Sequence, residues 1–107
     1  MPAPLTSEEQ NKLFKHIADT HIDLANSQLE AADIHIVSSG FIYGAARFNA
    51  FTIASEAKDL KKYNEARKGA VSHYTKLFRT MLEENLDNYA EAFTSPEEPR
   101  YTHLVKK

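Results

Sequence analysis

The chain has 107 residues, of which 42% are hydrophobic, and 13 Lys and Arg stand against 15 Asp and Glu. A chain of this length can bury a core of its own, and its few glycines and prolines are typical of a soluble helical protein. The net charge of −2 gives no general attraction to nucleic acid or anionic lipid. The absence of cysteine excludes disulfides and Cys-based zinc sites.

Nothing in the sequence suggests export or membrane insertion. It shows neither a charged-then-apolar leader nor an apolar run of about 18 residues. We therefore expect a cytoplasmic protein with no membrane partner.

The first predicted helix runs from about residue 7 to residue 32. Thr6 and Glu9 have the spacing of a capping box, in which a hydroxyl and a carboxylate each accept a hydrogen bond from an end-of-helix amide. On a helical wheel one broad face is apolar and the opposite face, which includes Asn26, is polar. His21 and Gln28 are polar side chains on the apolar side.

The second predicted helix, Ser38–Lys58, is apolar almost all the way round, with Arg47 and Asn49 as the strongly polar exceptions in its middle. We interpret residues 33–37 as a loop and Ser38 as the N-cap. A helix apolar on every face must be surrounded. Small side chains form a stripe along it, where another helix could approach closely: Ala46, Ala50, Ala54 and Ala57.

The third predicted helix shares one apolar face over residues 71–93, with Asn85 as a polar exception. Its start, somewhere after Glu56, is blurred by lysines, and Ser95 followed by Pro96 should end it. Phe48 and Phe78 are predicted core anchors.

These patterns predict an all-α fold, a three-helix bundle in which the second helix is central and mostly buried. The chain should form one domain over residues 1–107, with its core at about residues 7–93. The N-terminal arm 1–5 and the C-terminal tail 95–107 are expected to be flexible.

Three segments carry a family resemblance: Leu-Ala-Asn at 24–26, Ala-Ala-Arg-Phe-Asn-Ala-Phe at 45–51 and Met-Leu-Glu-Glu-Asn-Leu-Asp at 81–87. They resemble a family of small bacterial proteins of unknown function, over roughly residues 14–93. The resemblance implies a compact bacterial helical protein. It transfers no catalytic or binding residue, because the family has no assigned activity.

A metal site is one hypothesis for the first helix. His16, Asp19 and Asp23 share a face and have suitable ligand chemistry. They could hold a divalent ion only with help from another helix or chain. The ordinary interpretation is a solvated face of mixed charge.

A second hypothesis is a ligand-binding pocket around His21 and Arg47. The polar residues on or beside apolar faces would form it: His21, Gln28, Arg47, Asn49 and Asn85. The alternative is an internal hydrogen-bond network that fixes helix register. We favour the network, because no nucleophile and base are visible, and we expect no catalytic residue and no cofactor.

The basic stretch between Lys58 and Lys68 is interrupted by Asp59 and Glu65, so we expect no nucleic-acid partner. The third helix begins basic and ends acidic, the reverse of what the helix dipole favours. An antiparallel copy would bring the two ends together across a two-fold axis, with an interface that includes Lys61, Lys62, Lys68, Glu84, Asp87 and Glu91.

Three functions are thus ordered. The first is a non-enzymatic helical protein that acts by self-association or through a protein partner, the second is the ligand- or metal-binding protein, and an enzyme comes third. An exposed alanine stripe would favour the first, whereas a pocket lined by His21, Arg47 and Asn49 would favour the second.

Overall fold

The structure is a computed structural model that describes residues 3–94, and within that range the chain forms three α-helices and no strand. Helix α1 is Ser7–Gln28, α2 is Ile34–Glu56 and α3 is Leu60–Thr94. The predicted all-helical class is confirmed. Helix α2 packs against both other helices, whereas α1 and α3 do not approach each other. The second helix therefore lies between the other two.

The start of α1 is a reciprocal cap. The Thr6 backbone N–H donates to the Glu9 carboxylate at 2.9 Å, and the Glu9 N–H donates to the Thr6 hydroxyl oxygen at 3.1 Å. This confirms the predicted capping box. The helix ends at Gln28, four residues before the predicted end, because Leu29 and the turn after it redirect the chain toward α2.

The start of α2 differs from the prediction. The N-cap is Asp33, whose extended backbone and carboxylate, which accepts from the His35 N–H at 2.9 Å, open the helix at Ile34. The predicted loop at 33–37 and the Ser38 cap were wrong. An aspartate side chain can cap a helix as well as a serine can, and it lies five residues earlier.

Helix α3 begins after a connection of three residues, 57–59. The Asp59 carboxylate accepts from the Lys62 N–H at 2.8 Å, which places the blurred boundary at Leu60. With 35 residues against 23 in α2, α3 is longer by about 18 Å at 1.5 Å per residue. Part of α3 therefore has no length of α2 beside it. The predicted flexible tail 95–107 lies outside the described residues.

The burial of α2 is the main departure from the predicted fold. Not one residue of α2 is buried, and within residues 3–94 only Asn26 and Ala92 are. The expected core anchors Phe48 and Phe78 are 63% and 50% exposed. One chain supplies α2 with two neighbouring helices, which leaves much of its circumference uncovered.

The Asp33 cap gives a test of the corrected boundary. Asp33→Ala should lower the free energy of unfolding by about 1 kcal/mol at fixed protein concentration, because an end-of-helix amide loses its acceptor. Asp19→Ala, which removes a carboxylate from the exposed middle of α1, is the matched control and should have little effect. Denaturant titration measures both, and equal losses would contradict the assignment of Asp33 as the cap.

Candidate functional site

A groove of about 530 Å³ lies between α2 and α3. Helix α2 lines it from Ile42 to Ile53 and α3 lines it from Tyr63 to Phe78. The lining positions of α2 recur every three or four residues, so they form one face of the helix. Its small side chains are Ala45, Ala46, Ala50 and Ala70.

A hydrogen bond joins the two walls of this groove. The Thr52 hydroxyl lies 2.7 Å from the Asn49 carbonyl oxygen and 3.2 Å from the Tyr74 hydroxyl. Thr52 has one hydroxyl hydrogen and donates it to the carbonyl, so the Tyr74 O–H donates to Thr52. Both side chains are half-buried, and their contact holds α2 and α3 together beside the groove.

Of the five residues in the predicted ligand cluster, only Asn49 lines the groove. His21, Gln28, Arg47 and Asn85 are exposed. The Nδ1 of His21 lies 2.8 Å from the Ile17 carbonyl oxygen, and the Asn85 amide donates to the Met81 carbonyl at 2.8 Å. These are contacts within one helix, so the cluster is not brought together by the single chain.

Arg47 makes no ion pair with any acidic side chain of residues 3–94. Its exposed guanidinium is solvated, as long basic side chains on apolar helices commonly are. The predicted pocket therefore loses its charged member. Ala46, Ala50 and Ala54 are exposed, which is the condition set above for self-association.

The predicted metal ligands His16, Asp19 and Asp23 are all exposed on α1. Within the described range, no three His, Asp or Glu side chains are arranged to hold a metal ion. The single chain therefore gives the metal hypothesis no geometric support.

The predicted interface residues lie exposed along α3, with the lysines in its first ten residues and the acids in its last twelve. Lys62 is 3.8 Å from Glu65, and both side chains remain more than half exposed. Such a pair is worth little in water and leaves the lysine accessible to a partner.

Sequence reasoning missed the state of Asn26. Its predicted place was the polar face of α1, yet it is 3% exposed, and its side-chain amide nitrogen has no hydrogen-bond partner in residues 3–94. Ile22 and Ala25, on the same side of α1, are half-buried. Because α2 is the one helix that α1 contacts, this side faces α2.

The opposite finding holds for the face that was predicted to be the core of α1. Its large apolar side chains, Phe14, Ile17 and Leu24, are all exposed. Helix α1 thus has two apolar faces, one toward α2 and one toward solvent. The width of the apolar arc on the helical wheel was the signal that one neighbour would not cover it.

The fold and groove define a class before they define a family. This is a small three-helix protein with an apolar groove and, among its described residues, no cluster of catalytic or metal-binding groups. Residues 14–90 match the pattern of the DUF3144 family of proteins of unknown function, and the chain belongs to that family. No curated protein and no solved structure matches the chain.

A search of residues 3–94 for a membrane-spanning helix was negative, because none combines the necessary length and hydropathy.

The hydrogen bond between Thr52 and Tyr74 can be tested by a double-mutant cycle. Tyr74→Phe should lower the free energy of unfolding by about 1 kcal/mol, and less in a Thr52→Val background where the acceptor is already gone. Tyr63→Phe removes a hydroxyl from the same groove without removing this bond. Equal losses in both backgrounds, measured by denaturant titration, would show that the two side chains are not coupled.

Proposed function

We propose that this protein is a non-enzymatic helical protein that acts by self-association, and that its working state is a homodimer. One observation carries the proposal: α2 is apolar around its circumference and yet has no buried residue. Burying a large apolar side chain is worth about 1.5–3 kcal/mol relative to leaving it exposed. A single chain that leaves this much unburied gains strongly from covering it.

The amount of exposed apolar surface exceeds what function in a monomer ordinarily requires. Twenty large hydrophobic side chains among residues 3–94 are exposed, and they are spread over all three helices. Contiguous apolar surface of this kind marks an interaction site in soluble proteins. In the proposed dimer, the predicted central and buried second helix becomes a property of the assembly rather than of one chain.

A second copy is the proposed partner because α3 is complementary to itself. Its first turn has basic but no acidic residues, and four acids follow Thr80 without a basic residue. The Asp59 cap offsets the unfavourable dipole at the start of the helix only in part. In an antiparallel pair, the basic beginning of each α3 lies beside the acidic end of the other: Lys61, Lys62 and Lys68 against Glu84, Asp87 and Glu91.

A bacterial cytoplasmic setting belongs to the same proposal. The absence of cysteine supports it, since secreted domains of this size commonly depend on disulfides. A ligand-binding function based on His21 and Arg47 has no comparable support, because the two side chains are exposed on different helices.

Sedimentation tests the proposed dimer. We expect twice the chain mass at micromolar concentration in low salt and partial dissociation as salt rises, because screening weakens the pairing of exposed charges. A monomer in low salt would contradict self-association. A dimer that does not respond to salt would contradict the charge pairing and leave the apolar contact as the cause of assembly.

A charge-reversal series tests which charges are paired. Changing Lys61, Lys62 and Lys68 together to Glu should raise the dimer Kd by about tenfold or more, since three exposed pairs at each end are broken. Adding Glu84→Lys, Asp87→Lys and Glu91→Lys to the same chain should restore most of the affinity. Failure of the combined variant to recover, with its helix content unchanged, would show that these groups do not face each other.

A further inference from the structure

We infer that the groove between α2 and α3 is filled by helix α1 of the second copy. The two copies exchange these helices reciprocally about the two-fold axis. This inference rests on the proposed homodimer and names the surfaces that form it.

The solvent-facing side of α1 has the spacing of a packing seam. Its positions are separated alternately by four and three residues: Gln10, Phe14, Ile17, His21, Leu24 and Gln28. This is the spacing with which one helix inserts side chains between those of another. All six residues are exposed, and the apolar ones are 61%, 48% and 56% exposed for Phe14, Ile17 and Leu24.

The groove has the form that a helix of this kind requires. Its alanines let a helix backbone approach closely, and larger side chains such as Ile53 and Phe78 form its walls. An amphipathic helix docks into an apolar groove through positions separated by three and four residues. The chain's own α1 does not fill it, since α1 has no contact with α3.

Charge favours α1 among the helices that could enter. Helix α1 has four acidic and two basic residues, a net charge of −2, whereas residues 60–70 of α3 have four basic residues and one acid, a net charge of +3. Arg67, one of those basic residues, lines the groove. The α1 seam is flanked by Glu9 and Asp23, so the helix presents both apolar side chains and carboxylates to this surface.

The polar groups of the two surfaces also correspond. The seam carries an imidazole and two side-chain amides, and the groove offers Asn49, Tyr63 and Tyr74 as hydrogen-bonding partners. Buried polar groups need such partners. The acidic end of the partner's α3 pairs elsewhere, because Lys61 and Lys62 do not line the groove.

With this arrangement α2 acquires the neighbours that one chain cannot provide. Its own α1 and α3 cover two sides, and the partner's α1 covers the groove side. The Asn26 side of each α1 stays against its own α2 while the Phe14 side enters the partner, so both apolar faces of α1 are used.

Chemical cross-linking tests the occupant, because the natural chain has no cysteine and every thiol can be placed by design. Ile17 is near the middle of the seam and Ala46 is in the groove, so they should lie close together whichever way α1 runs. Protein with Ile17→Cys is mixed with protein carrying Ala46→Cys, subunits are allowed to exchange, and a short bismaleimide is added. The heterodimeric product should form at least about tenfold faster than with Ser55→Cys, whose position faces away from the groove.

A third mixture, Ala46→Cys with Met81→Cys, reports whether the partner's α3 enters the groove instead. Cross-linking at 46 with 81 but not with 17 would overturn the inference. A dimer by sedimentation without either product would also overturn it, while leaving the proposed self-association standing. A monomer in sedimentation with no cross-linked product would contradict both.

Discussion

A helix that is apolar around its whole circumference has to be enclosed, and this constraint governs the structure. Helix α2 is such a helix, and the chain supplies it with α1 on one side and α3 on another. Two neighbours do not enclose a helix, and no residue of α2 is buried. The groove, the exposed phenylalanines and the uncovered face of α1 all follow from this shortage of cover. Assembly is the physical remedy that requires no change in the fold.

The helices could be predicted because their signals are local. The Thr6 and Glu9 capping box depends on four consecutive residues, and its hydrogen bonds form as the spacing indicates. The start of α2 failed for the same local reason, since Asp33 and Ser38 are both good caps and the sequence gives no measure of which prevails. The connection before α3 became clear only with the Asp59 hydrogen bond.

Burial could not be predicted in the same way. A hydrophobic pattern shows which side chains avoid water, but it does not show which chain covers them. Phe48 and Phe78 have the pattern of core residues and are exposed in one chain. Asn26 has the pattern of a surface residue and is buried, because α2 crosses the side of α1 on which it lies. Both errors concern how helices meet, which a helical wheel of one helix does not contain.

The candidate site shows the same division. The alanines of α2 indicated a place for close helix approach, and two of them do line the groove. The polar cluster assumed that five residues from three helices would converge, and only Asn49 reached the groove. Nothing local could have shown this, because α1 and α3 remain apart.

Hydrogen exchange of the α2 backbone amides, followed as the protein is diluted, tests the central claim most directly. If another copy encloses α2, protection over Ile34–Glu56 should be high at concentrations where the dimer is populated and should fall as it dissociates. Strong protection of α2 that persists in the monomer would contradict the account, because it would mean that one chain encloses this helix by itself.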